Sequence, residues 1–117
     1  EMVLRVAAAR EQRVRFDERF GAGAVNYLGD EYIFIADLLR AGLNADFLPT
    51  VIATHPSESS GSRWGTDADL RARSLIFNRV FGWLAPLVRL GFGWRHRAEI
   101  GSASRVFRFV RGFRLEG

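Results

Sequence analysis

The chain has 117 residues, 48% of them hydrophobic, with a formal net charge of +4; this is enough for one packed core and excludes a disordered polymer. It has no cysteine, which excludes a disulfide framework, a thiolate metal site and cysteine redox chemistry. Charge is uneven: residues 1–60 hold six Arg against nine acids and residues 61–117 hold eleven Arg against four, which implies two regions with different surroundings. Every basic residue is Arg and none is Lys. We read this mainly as coding bias, with a weaker pointer to phosphate or headgroup contact.

The first residues lack an initiator Met and a signal pattern and run straight into apolar material, as expected of a C-terminal fragment. Met2 to Ala9 reads as an apolar strand with Val3, Leu4 and Val6 as core candidates. Val14, Phe16 and Phe20 then alternate with Arg15, Asp17 and Glu18, which suggests a short extended piece entering a glycine loop. In that loop Gly21 and Gly23 allow positive φ and a close approach of backbone to a ligand. Gly29 turns the chain into a helix from about Asp30 to Ala41, with Ile33, Ala36 and Leu39 or Arg40 at helical spacing and Gly42 as the stop. Asp30 and Glu31 therefore stand at a helix N-terminus. Macrodipole and free N–H groups favour a carboxylate there, so it could act as a base of fixed direction; the plain alternative is an Asp N-cap with an acidic first turn.

Residues 42–46 read as a turn and FLPTVIATH as a strand ending at His55-Pro56, with Pro49 delaying its start or confining it to an edge. SESSGSR is a polar loop. From Thr66 the pattern is helical: Thr66 and Asp69 approximate a capping box. Leu70, Phe77, Val80, Phe81, Leu84, Leu87 and Val88 form a broad apolar stripe that Gly82 and Pro86 should kink or break. Val80 to Trp94 is too short to span a bilayer. Trp83 and Trp94, with Arg89, Arg95 and Arg97 nearby, suit a helix lying at a membrane surface equally with an amphipathic helix packed on its own domain. A last helix spaces Arg105, Arg108, Arg111 and Arg114 three apart, a solvated face more than a binding stripe. His96, among arginines, is assigned to the solvated surface.

The order FDERFG, GAG, YLGDEYIFIADLLRAGL and FLPTVIATHP resembles the C-terminal half of bacterial family-2 glycosyltransferases of the GT-A fold, over about residues 1–62. Gly21-Ala22-Gly23 takes the place of that family's glycine loop, Gly29-Asp30-Glu31 the place of its acidic xED motif, and His55 the place of its C-terminal histidine. The acidic pair is Asp-Glu where Glu-Asp is commoner, and the nucleotide-binding half with its DxD metal motif is absent from these residues. Asp67-Ala68-Asp69 has the letters of DxD but follows the histidine, and we read it as a cap. Arg63-Trp64 resembles the RW of the processive members' QxxRW motif, with Ser60 where Gln would stand; Trp64 would then reach the diphosphate or acceptor, or else simply anchor its loop.

The resemblance implies an α/β, Rossmann-like fold: the acceptor-side half of a GT-A domain at 1–62, followed by an Arg-rich amphipathic helical extension at 63–117. It implies an inverting, metal-dependent hexosyltransferase of cell-surface polysaccharide or glycolipid synthesis, in the cytoplasm or peripheral at the inner face of the plasma membrane. The donor would be a nucleotide-diphosphate sugar and the acceptor a saccharide or lipid-linked hydroxyl. Glu31 would be the base, with Asp30 binding acceptor or holding the helix start. Gly21, Ala22, Gly23 and Trp64 would contact substrate, and His55 would bind Mn²⁺ or Mg²⁺, its plain alternative being a strand-end histidine bonded to backbone. Tyr27 and Phe20 could wall a sugar, though each suits a core as well. The rival readings are a noncatalytic membrane-surface domain, which the tryptophans and arginines allow, and a nucleic-acid binder. The latter is disfavoured because no aromatic–basic interleaving of a known module is present.

Overall fold

The computed structural model describes residues 2–54 and 62–114. Six α-helices lie among them: α1 Val6–Glu11, α2 Asp30–Arg40, α3 Asp67–Phe81, α4 Ala85–Arg95, α5 Arg97–Ile100 and α6 Ala103–Arg111, with a 3₁₀ turn Gly82–Leu84 joining α3 to α4. The expected α/β fold is overturned: the described residues contain no strand and no sheet, only an isolated bridge between Phe20 and Asn26.

The departures have local causes. Met2 to Ala9 does not form a strand, because Ala7, Ala8 and Ala9 are strong helix formers and nucleate α1 with Arg10. Val3 and Val6 are exposed rather than core. Residues 14–17 have no regular structure, and residues 18–19 turn into the bridge at Phe20. Residues 47–54 have strand-like composition, but a strand exists only where a second segment completes its ladder, and none does so among the described residues. Phe47, Leu48, Val51 and Ile52 accordingly lie exposed along a groove that also takes in Val3.

The helices from α2 onward follow the sequence more closely. α2 starts at Asp30 and ends at Arg40, with Gly42 at φ 87° just beyond it. α3 opens with a complete capping box, Thr66 accepting from the Asp69 N–H and Asp69 accepting from the Thr66 N–H. It stops at Gly82, and Pro86 is accommodated in the first turn of α4, where its missing N–H costs nothing.

α3 is the central helix, packed against α2, α4 and α6. Its residues Leu70, Ala72, Ser74, Leu75 and Ile76 are all buried. One cluster joins Leu75 and Ile76 to Phe20 and Ile33, and a second joins Leu70 to Ile100 and Phe109; Phe113 packs against both. The C-terminal segment is tied down by Ser74, which accepts from the Phe113 N–H at 3.1 Å, and by Asn78, which donates to the Phe113 carbonyl at 2.8 Å.

Two contacts fix α2 on α3. Gly29 has φ +93°, and a Cβ there would lie inside the Ile76 side chain, so only glycine lets the helix start so close. Arg79 donates to Asp37 at 2.7 and 3.1 Å and to Asp17 at 3.1 Å. Asp17 is held well below the usual carboxylate range, first by the Arg19 side chain and then, against the opposing effect of burial, by further donors that include Arg79.

Gly29→Ala combines a left-handed φ with overpacking and should lower unfolding stability by about 2–4 kcal/mol in urea titrations. Because the Asp17 carboxyl is depressed in the folded state, its contribution is present above its unfolded pKa of about 3.9 and is lost as pH falls below that value. The urea midpoint of Asp17→Asn should therefore lie below that of the parent at pH 7, and the gap should narrow as pH drops through about 4 and below.

Candidate functional site

The glycine loop is closed at its base. The Gly21 N–H donates to the Asn26 carbonyl at 2.8 Å, and the Asn26 amide donates to the Arg19 carbonyl at 3.2 Å. The Ala24 N–H returns to the Gly21 carbonyl at 3.0 Å. Gly21 and Gly23 have φ +101° and +85°, the left-handed region in which glycine carries no steric penalty.

This closure sets the loop against the start of α2. A Cβ on Gly21 would stand 2.6 Å from both Cγ and Oδ2 of Asp30, so the loop backbone and the Asp30 carboxyl are in direct apposition. Asp30 and Glu31 occupy the first turn of α2, whose cap, Gly29, offers no side chain to the free N–H groups. Asp30 is half-buried beside the loop, whereas Glu31 is exposed. The pair therefore divides: one carboxylate is packed in the scaffold and the next faces solvent.

Of the other sequence-derived candidates, Ala22 and Gly23 lie exposed on the loop rim, and nothing lies within 4 Å of where a Gly23 Cβ would be. Phe20 is in the core cluster with Ile33. The Tyr27 hydroxyl donates to Asp69, while the Arg63 guanidinium stands 5.8 Å from the Tyr27 ring centroid. Trp64 stacks on His96 at 4.8 Å and on Phe92 at 5.6 Å, with the Arg73 guanidinium 4.0 Å from its centroid. His96 is thus not the solvated surface residue expected from WRHRAE; its ring lies in this stack, with Nδ1 3.5 Å from Glu99 Oε1. His55 and Ser60 lie outside the described residues.

Asp69 does more than cap. Burial opposes its ionisation, but hydrogen bonds from Tyr27 and Thr66 outweigh that effect and lower its pKa. Burial and the bond to Asp69 raise that of Tyr27. A side chain from the glycine-loop segment is thereby fastened to the first turn of α3, a pairing across 42 positions that no local spacing signals. The spacing of Thr66 and Asp69 foretold the cap alone.

Among the described residues no group of three or more His, Asp and Glu side chains could hold a metal ion. Asp30 and Glu31 alone do not make a donor set. No family model, curated protein or solved structure matches the chain.

Tyr27→Phe removes a donor from an Asp69 that is 4% exposed and should cost about 1–3 kcal/mol of unfolding stability. Differential scanning calorimetry would register it as a lowered Tm.

Proposed function

We propose that this chain carries the acceptor side of an inverting glycosyltransferase that uses a nucleotide-diphosphate sugar, with Glu31 as the general base. The observation that carries the reading is the apposition of the Gly21 backbone to Asp30 at the start of α2. It joins two of the motifs on which the resemblance rests, the glycine loop and the acidic pair, in one place. Glu31 accepts the proton of the acceptor hydroxyl as that oxygen attacks the anomeric carbon, and the nucleoside diphosphate departs from the opposite face. Asp30 positions the loop and the helix start. A divalent ion, if bound as the resemblance implies, would supply Lewis-acid stabilisation of the leaving phosphates.

The reading also fits the way the arginines are used. Arg79 is occupied by Asp17 and Asp37, Arg89 by Asn78 and the Val110 carbonyl, Arg105 by the Trp64 and Gly65 carbonyls, and Arg108 by Asp67. These four of the seventeen arginines are thus engaged within the chain, and these are not free for a nucleic acid.

In the complete protein, Glu31→Gln should lower turnover by about two to four orders of magnitude, with donor binding nearly unchanged. Transfer assays with radiolabelled donors, paired with donor titration, would read both quantities. An active Glu31→Gln beside an inactive Asp30→Asn would move the base to Asp30; activity in both would end the proposal.

A further inference from the structure

α4 faces the wrong way for a helix that serves only its own core. Its inward side carries Ala85, Arg89 and Gly93, all buried, with Phe92 packed on the Leu70–Ile100–Phe109 cluster. Its outward side carries Leu87, 66% exposed, Leu90, 55%, and Trp94, 68%, preceded in the 3₁₀ turn by Trp83, 85%. Positions 83, 87, 90 and 94 are four, three and four apart, the spacing of one helical face. Phe81 and Leu84 flank that face and are themselves exposed. Burying such a face is worth far more than leaving it in water.

The charge around the face indicates its partner. Residues 70–98 contain six Arg and no acid. Arg89 is 5% exposed and turned inward, donating to the Val110 carbonyl and to Asn78, so it is not among the cations offered outward. Arg95 and Arg97 are exposed at the C-terminal end of the stripe. The Arg97 guanidinium stands 4.7 Å from the Trp94 ring centroid. Tryptophans at both ends of an apolar row, with cations beside them, match the layered chemistry of a bilayer interface: acyl chains below, headgroups at the indoles, phosphates at the arginines.

We propose that the face formed by Trp83, Leu87, Leu90 and Trp94 docks the protein on an anionic lipid bilayer, with α4 lying in the plane of the interface. The helix has 11 residues, about 16 Å of length, and does not cross a hydrocarbon layer of about 30 Å. The longer stretch Asp67–Arg95 is apolar enough by length and composition to cross one. Its α3 part, however, is committed to the core through Leu70, Leu75 and Ile76 and to ion pairs through Arg79. A second copy docked face to face would bring two sets of Arg95 and Arg97 together with Glu99, beside His96, as the one acid in positions 70–115. The proposal stands apart from the catalytic reading, since none of its residues belongs to the glycine loop or the acidic pair.

The test is flotation of the complete protein with vesicles of phosphatidylcholine, with and without phosphatidylglycerol. Binding is expected only with phosphatidylglycerol, weakening as salt rises and reversed by a high-salt or carbonate wash. Leu87→Ser with Leu90→Ser should reduce it by about tenfold or more, and Arg95→Glu with Arg97→Glu should abolish its dependence on anionic lipid. Both leucines are exposed, so circular dichroism and the urea midpoint should be unchanged; Trp83→Ser, in the turn outside α4, gives a second variant should the pair misfold. Glu31→Gln should bind vesicles normally, which separates this proposal from the catalytic one. Unaltered flotation of the leucine variant, resistance to carbonate extraction, or a parent protein that binds no vesicles and sediments as a dimer that the leucine variant does not form would each overturn it.

Discussion

The rest of the structure depends on the guanidinium of Arg79. It is a side chain of α3, yet it holds Asp37 of α2 at 2.7 Å and Asp17 of the preceding segment at 3.1 Å. Removing either carboxylate leaves a partly buried charge with one partner fewer, and removing the arginine leaves Asp17 with Arg19 and Asp37 with Arg40 but no link between the two acids. Next to this joint Gly29 gives α2 its close approach to Ile76. The polar clamp sets the direction of α2 and the missing Cβ sets its distance. Together they place the first turn of α2, and with it the acidic pair, relative to the rest of the chain.

The same economy governs the second half. Arg89, buried beneath α4, joins Asn78 of α3 to the Val110 carbonyl of α6, and a Cβ on Gly112 would stand 2.8 Å from its Cζ. Arg73 lies over Trp64, which stacks with Phe92 and His96. In these places a planar cation with several donors takes the role that apolar side chains play in a larger core. Phe92 is the large apolar residue that α4 gives to the core, beside buried alanine, glycine and arginine, while Leu87, Leu90 and Trp94 are left on its outer side. The exposed tryptophan–leucine face of α4 and the buried Arg89 are thus two aspects of one arrangement.

At the candidate site, the functional reading rests on apposition rather than on an enclosed cavity. The Gly21 backbone is apposed to the carboxylate that begins α2, and the neighbouring carboxylate looks outward. Tyr27 and Phe20, possible sugar walls on residue type alone, are engaged otherwise: the tyrosine hydroxyl with Asp69 and the phenylalanine with Ile33. Trp64 likewise has its faces occupied by Arg73, Phe92 and His96.

What was legible in the sequence was whatever local chemistry controls. The start of α2 after Gly29, its stop before Gly42, the Thr66–Asp69 capping box, the break at Gly82 and the start of the last helix each depend on residues within a turn of one another, and each was found. The glycine loop and the acidic pair were legible for the same reason. The strands were not: Met2 to Ala9 and FLPTVIATH have apolar or β-branched composition, but a strand is a property of two segments, and the run of three alanines settled the first as helix. His96, Arg89, Tyr27 and Asp69 were misread or half-read because their partners are elsewhere in the fold, up to 42 positions away. The sequence by itself determined where α2 begins and ends, where α3 begins and breaks, and which residues carry charge. Only the tertiary structure decided which arginines are spent on internal carboxylates and carbonyls and which apolar residues face outward, because those depend on which helix faces which.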